Sequence, residues 1–159
     1  MRSVDPVLLA SVNLRDVEEA LQDWRCMHSD LGKPILMSAV GDVFVESATG
    51  EVSRLDTGVG SLSFIAETRA EFDAAASNSS NLEEWFLQPV VAELRAEVVL
   101  LGHNQCYGFT ILPMLSEGSY GAANRSVVNA MEHIRFTADI VRQTQSLGDG
   151  ETVRIRVVD

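Results

Sequence analysis

The sequence is poor in basic residues, and this shortage excludes more functions than any other feature of its composition. Its 159 residues include 12 Lys and Arg against 23 Asp and Glu, which gives a formal net charge of −11. Seventeen of the 23 acidic residues lie before residue 101. A field of this sign repels nucleic acid and anionic membranes and speeds encounter with basic partners. The same charge also serves solubility, so both interpretations stay open at this point.

Long hydrophobic runs and cysteine motifs are also lacking. No apolar run approaches the roughly 20 residues that a membrane helix needs, and the segment Met1–Pro6 does not have the pattern of a secretory signal. The two cysteines, Cys26 and Cys106, form no spacing motif, so we expect reduced thiols and a cytoplasmic protein. No repeat or linker divides the chain, and we expect a single domain over residues 1–159.

Motifs for enzymatic chemistry are absent or incomplete. Gly58-x-Gly60 precedes a predicted strand where a nucleotide site needs a helix. The three histidines, His28, His103 and His133, are isolated and do not supply the three or four ligands of a metal site. Cys106 could pair with a histidine as a nucleophile, but a small buried thiol is the more common role. We therefore expect no cofactor, no metal, no catalytic residue and no enzyme.

Helical signals recur along the chain. Each predicted helix combines an apolar face at helical spacing with a residue that can cap its first turn. The basic residues near the last of these helices, among them Arg125, are predicted to form a solvated surface. The predicted helices are residues 13–27 with Asn13 as cap, a short helix begun by Thr68 with Glu71, a longer one capped by Asn81 and kinked or broken at Pro89, and residues 126–143.

Extended segments alternate with turn residues in the first half of the chain. The predicted strands are residues 34–40, 42–47, 51–57 and 61–66, and a last strand at 153–157 is predicted to lie at a sheet edge. Residues 102–124 are rich in Gly, Tyr, Asn and Pro and are predicted to be irregular. Strands and helices in separate runs favour an α+β fold, with an antiparallel sheet of about five strands packed against three to four helices.

The irregular stretch and the helix after it carry a family resemblance. The residues concerned are Cys106-Tyr107-Gly108-Phe109, Ile111-Leu112-Pro113, Gly118-x-Tyr120, Asn124 and Glu132-His133-Ile134. They resemble the domain of unknown function at the C-terminus of type VI secretion DNase immunity proteins, which is similar in organisation to the SUKH (SMI/KNR-type) toxin-immunity families. The segment from Gly41 to Val52 resembles the same family, and the resemblance spans roughly residues 35–145. The sequence departs from the family at Leu115–Gly118, where a tight Leu-Gly-Gly is usual.

The resemblance implies a cytoplasmic protein that binds a cognate toxin, often a nuclease, and neutralises it by occluding its active site. Charge supports this, because an acidic domain complements a basic cleft. Candidate contacts are the acids of the predicted hairpin and the polar or aromatic residues of the irregular stretch. They are Asp42, Glu46, Glu51, Asp56, Glu117, Tyr120 and Asn124. For Asn124, capping of the last helix is an alternative role, and Tyr120 could simply pack on that helix.

Two other functions remain open from the sequence. One is an enzyme of unrecognised class that uses Cys106 or a pair of carboxylates around residues 102–124. The other is a general protein-binding or regulatory module of the same fold. A pocket that converges on Cys106 and His103 would favour the enzyme, whereas a toxin gene next to this one would favour immunity.

Overall fold

The computed structural model describes residues 4–97, 99–145, 147 and 150, and within these it contains two antiparallel sheets and six α-helices. The predicted α+β class is confirmed. The first sheet is a meander of β1 (Lys33–Met37), β2 (Val43–Glu46), β3 (Val52–Asp56) and β4 (Ser61–Ala66), paired in that order. Gly50 and Gly60 take φ values of 91° and 79° in its turns, which favour glycine. The second sheet pairs β5 (Gln105–Phe109) with β6 (Arg125–Asn129).

The helices begin where side chains satisfy their first amides. The Asn13 side chain accepts from Arg15 N at the start of α1 (Leu14–Ala20), and a second short helix, α2 (Gln22–Arg25), follows. Thr68 accepts from Glu71 N at the start of α3 (Arg69–Ala75). Both predicted caps are confirmed. Of the kink or break predicted at Pro89, the structure has the break, because Leu87, with φ 50°, separates α4 (Ser79–Phe86) from α5 (Gln88–Ala96).

Three sequence predictions are wrong. Asn78, and not Asn81, caps α4, and the Asn81 side chain donates to Ala75 O instead. The last helix, α6 (Ala130–Thr144), is capped by Asn129, because residues 125–129 pair with β5 as a strand. The stretch predicted to be irregular therefore contains β5, whose pairing with a strand that begins 16 residues after β5 ends cannot be seen in a local pattern. The predicted strand at 153–157 lies outside the described residues.

Helices cover both faces of the first sheet. Alternate residues of one strand point to opposite faces, so Val43 and Val45 pack in a cluster with Trp24 of α2 and Ile134 of α6. Phe44, between them, stacks on Phe86 with ring centroids 5.0 Å apart, on the side of α3, α4 and α5. The sheet is thus buried between two helical layers. No helix in the described part of the chain is both long and apolar enough to cross a membrane.

The small sheet packs against one end of the meander. Tyr107 N of β5 donates to Ala39 O, which lies between β1 and β2, at 2.7 Å. This contact brings residues 110–124, which connect β5 to β6, next to the turn between β3 and β4. That juncture contains the buried polar residues of the candidate site.

Candidate functional site

Residues 110–124, called here the Tyr120 loop, are closed at their base by the Asn124 side chain. Its Oδ1 accepts from Ile111 N at 3.0 Å, and its Nδ2 donates to Ile111 O at 2.6 Å and to Ser119 O at 2.7 Å. Gly118 lies so close to the chain that an added Cβ would be 1.9 Å from Leu112 O. These contacts fix the loop, and they assign Asn124 to the loop and not to a helix cap.

Tyr120 ties the loop to the β3–β4 turn. Its hydroxyl donates to Asp56 Oδ2 at 2.9 Å, while Asp56 Oδ1 accepts from Gly58 N at 2.9 Å. The Tyr120 ring meets Phe109 edge-on, with centroids 5.9 Å apart, in a geometry that aromatic pairs prefer. Tyr120 nevertheless keeps 37% of its surface exposed. Aromatic side chains that are fixed in position and partly exposed are common anchor residues in protein–protein interfaces.

Arg125 lies beneath the loop and is only 8% exposed. Its Nη1 donates to Val40 O at 2.8 Å and to Tyr107 O at 3.0 Å, and its guanidinium lies 4.0 Å from the centre of the Phe109 ring. The prediction of a solvated surface is therefore wrong for Arg125. Burial lowers its pKa, and the nearby Asp42 carboxyl acts in the opposite direction.

A second set of buried polar groups joins the meander to α6. Thr57 N donates to Asp42 Oδ1 at 3.2 Å, and Thr57 Oγ1 lies 2.9 Å from His133 Nε2. Thr57 is fully buried, and Asp42 and His133 are 5% and 6% exposed. With Asp56, Arg125 and the hydroxyl of the partly exposed Tyr120, these three residues form what we call the buried polar cluster, which connects positions from residue 42 to residue 133.

Burial shifts the titration of this cluster strongly. Burial, and to a smaller extent the neighbouring Asp56 carboxyl, raise the pKa of Asp42 to about 7, and Arg54 and Arg125 act against the rise. Burial, with the positive charge of Arg125, lowers the pKa of His133 to about 4. Burial and the Asp56 carboxylate raise the pKa of Tyr120. The cluster therefore holds His133 neutral at pH 7 and Tyr120 as a hydrogen-bond donor.

The residues that carry the family resemblance surround His133. An added Cβ at Gly41, where φ is 94°, would lie 2.3 Å from His133 Nε2, and one at Gly108 would lie 3.1 Å from His133 Nδ1. The imidazole fills the space beside Gly41, whereas at Gly108 an added Cβ would also lie 2.6 Å from Val128 Cγ2, so both positions need glycine. In the sequence His133 is isolated from other histidines. The only sign of its packing is that Gly41 and Gly108 belong to the segments that carry the family resemblance, because glycine often marks a place where another group packs against the backbone.

The seven predicted contact residues divide between interior and surface. Asp42 and Asp56 are 5% and 8% exposed and offer little area to a partner in this conformation. Asn124 and Glu46 are half-buried, and Glu46 lies 3.7 Å from Arg69 in a loose ion pair. The exposed members are Glu51, Glu117 and Tyr120. The structure brings Asp56, Tyr120 and Asn124 together but leaves Glu51 at the opposite end of β3.

Groups that could support catalysis are separate or buried. Cys106 is fully buried, and burial raises the pKa of its thiol to about 12, although Arg125 acts against the rise. His103 Nδ1 instead lies 3.2 Å from Ser11 Oγ. Two shallow grooves of about 210 and 260 Å³ flank the 3-10 helix Pro6–Leu8, and neither is lined by Cys106 or His103. In the described ranges, no group of three or more His, Cys, Asp or Glu could hold a metal ion.

Comparison with known families supports the resemblance seen in the sequence. Residues 66–141 match the family model described as T6SS immunity protein Tdi1, C-terminal. The predicted resemblance is confirmed over this range. The Tdi1 match covers α3 to most of α6, including the Tyr120 loop, and it begins at the last residue of β4. The segment Gly41–Val52 lies before it. No curated protein matches the chain. The similarity to Tdi1 supports an immunity function.

Proposed function

We propose that this protein is a bacterial immunity protein that binds a cognate type VI toxin in the cytoplasm and neutralises it. The observation that carries this proposal is the Tyr120 loop, which lies within the range that matches Tdi1 and presents an exposed ring from a fixed backbone. We infer further that residues 1–159 act as one immunity domain, since the buried polar cluster joins the matched range to the meander before it.

The surface around Tyr120, called here the Tyr120 surface, is suited to binding because it is already ordered in the protein alone. We define it by Val59 of the β3–β4 turn with Pro113, Glu117 and Tyr120 of the loop. Val59 is 37% exposed, and the backbone next to it is packed so closely that a Cβ at Gly58 would lie 3.0 Å from Pro113 Cδ. A surface that is already ordered loses less conformational entropy on binding. The combination of apolar side chains, a tyrosine and an acid suits a partner with aliphatic and cationic side chains.

The charge of the chain supports the choice of partner. A net charge of −11 favours rapid encounter with a basic surface, and the active cleft of a nuclease is basic because it binds phosphates. We propose that the toxin is of this kind and that the protein inhibits it by occluding that cleft. Asp42 and Asp56 then support the surface from below, whereas Glu117 and Tyr120 contact the toxin.

The test is a titration calorimetry experiment with the purified toxin encoded next to this gene. We expect one-to-one binding, and the Tyr120→Ala and Glu117→Lys variants are expected to bind at least about tenfold more weakly. Phe136→Ala is the matched control, because this aromatic side chain on α6 is 41% exposed and lies outside the Tyr120 surface. Absence of binding by the unmodified protein would overturn the proposal for that toxin.

The mode of inhibition has its own measurement. If the protein complements a basic cleft, its association rate with the toxin falls as salt is raised from 50 to 500 mM, because exposed charges are screened. A rate independent of salt would contradict electrostatic steering. If the toxin degrades DNA, one equivalent of the protein is expected to stop the degradation, and the Tyr120→Ala variant is expected to need an excess.

A further inference from the structure

The two edges of the four-stranded sheet differ in how they are protected. The outer edge of β1 is covered at its C-terminal end, because Ala10 N donates to Met37 O at 2.9 Å and, just beyond the strand, Ala39 N donates to Leu8 O at 2.8 Å. The strand also carries Lys33 and Pro34. Lysine, proline and a covering segment are the usual means by which proteins prevent another strand from adding to an edge.

Within the part of the chain that the structure describes, the β4 edge has none of these protections. Its six residues, Ser61 to Ala66, include neither a charge nor a proline. Among the described residues, β4 pairs with β3 and its backbone bonds to no other segment. Phe64 is 59% exposed, more than any other large apolar side chain in the described ranges. Such an edge is a template for pairing with another chain.

The strand register places the predicted contact residues at both ends of this edge. Ser61 pairs with Asp56, which holds the Tyr120 hydroxyl. At the other end Ala66 pairs with Val52, and Val52 pairs with Glu46. A strand of six residues spans about 20 Å. The β4 edge therefore links the Tyr120 surface to the acidic end of the hairpin, two regions that the sequence alone left unconnected.

We propose that β4 is a docking strand, to which an extended segment of the cognate toxin adds as a fifth strand. This inference rests on the proposed function and specifies how the partner binds. Backbone hydrogen bonds along Ser61–Ala66 supply affinity, and Phe64 contacts an apolar side chain of the added strand. Glu67, directly after β4, and Glu51 are exposed and pair with Lys or Arg next to that strand. The partner segment is thus cationic, with an apolar residue at its centre.

Charge argues for the toxin over a second copy of this chain as the occupant. Two copies joined at β4 would bring together two molecules that each carry −11, whereas a basic partner gains from the same field.

The test combines hydrogen–deuterium exchange with two charge-matched variants. In the complex with the toxin encoded next to this gene, we expect slowed exchange at the amides of residues 61–66 relative to the free protein. Phe64→Lys is expected to weaken toxin binding by about tenfold or more, and the milder Phe64→Ala by a smaller factor. Phe136→Lys adds the same charge at an exposed aromatic position on α6 and is expected to change binding less than about twofold. Circular dichroism and thermal unfolding establish that each variant is folded.

The outcomes separate this inference from the proposed function. Tight toxin binding with unchanged exchange at residues 61–66, and with equal affinity of the Phe64 and Phe136 variants, would overturn the docking strand and leave immunity intact. Absence of binding by the unmodified protein would overturn both. Protection of residues 61–66 in the toxin-free protein that grows with concentration, together with dimers in sedimentation, would assign the edge to a second copy and overturn the choice of partner.

Discussion

The Tyr120 hydroxyl donates a 2.9 Å hydrogen bond to Asp56 Oδ2, across 64 positions of sequence and onto a carboxylate that is 8% exposed. This bond holds the aromatic ring of the Tyr120 loop on the turn that precedes the docking strand. It makes the buried acid a support for the surface and the tyrosine the part that a partner can contact.

Removal of this hydroxyl tests the support directly. Tyr120→Phe is expected to lower the free energy of unfolding by about 1–2 kcal/mol, because a hydrogen bond to a charged group is lost while the ring contact with Phe109 remains. Urea unfolding of Tyr120→Phe, Asp56→Asn and the double variant forms the measurement. A double variant that is as unstable as the sum of the single ones would show that the two groups do not act together.

The pH dependence of stability tests the buried polar cluster. The raised pKa of Asp42, about 7 against 3.8, means that the folded state holds a proton that the unfolded state has released. Its contribution to stability therefore falls as pH rises from about 4 to 7. The lowered pKa of His133, about 4 against 6.5, has the opposite effect, because stability is lost as pH falls from 6.5 to 4. The two slopes oppose each other in the unmodified protein.

Each isosteric variant is expected to reveal the slope of the other residue. Relative to the unmodified protein, Asp42→Asn gains stability more steeply as pH rises from 4.5 to 6.5, and His133→Gln loses stability over the same interval. Urea unfolding at four pH values between 4.5 and 7.5 measures both slopes. Parallel profiles for all three proteins would contradict the assigned shifts.

Asn124, just before β6, and Asn129, at its end, have different roles: Asn124 closes the base of the Tyr120 loop, and Asn129 caps α6. Asn129→Ala removes the cap that accepts from Glu132 N at 3.0 Å and is expected to cost about 1 kcal/mol of unfolding free energy. Asn124→Ala removes three hydrogen bonds at the base of the Tyr120 loop and is expected to cost more than the cap and to make residues 110–124 a site of proteolysis. Equal costs, with proteolysis unchanged, would mean that Asn124 does not hold the loop.

Thiol labelling distinguishes the binding protein from an enzyme that uses Cys106. In the folded protein a thiol reagent is expected to modify one equivalent, at the exposed Cys26, and a second only after unfolding, because Cys106 is buried with its pKa raised to about 12. Neutralisation of the toxin by Cys106→Ala should match that of the unmodified protein. Rapid labelling of Cys106 in the folded state would revive the enzymatic hypothesis.

Local signals predicted much of the fold, and long-range pairing accounts for what they missed. Thr68 and Pro89 determine a helix start and a helix break through their immediate neighbours, so the sequence was sufficient. β6 exists because residues 125–129 pair with β5, and no pattern within those residues distinguishes them from the first turn of the helix that follows. The helix start was therefore placed too early.

The candidate site was predicted less well for the same reason. The sequence around Asp42 does not show whether its carboxylate faces water or contacts Thr57. Its position near His133 depends on the fold. Burial of Arg125 was likewise hidden, because its partners Val40 O and Tyr107 O are backbone atoms. The exposure of Phe64 depends on β4 lying at an edge of the described sheet, which no local sequence pattern shows.

Co-expression with the neighbouring toxin is the most direct measurement of the immunity claim. Cells that produce the toxin in the cytoplasm together with this protein are expected to grow like cells without the toxin, while cells that produce it with the Tyr120→Ala and Phe64→Lys variants are expected to grow poorly. Continued killing by the toxin, when the unmodified protein is present in excess and folded, would contradict the account.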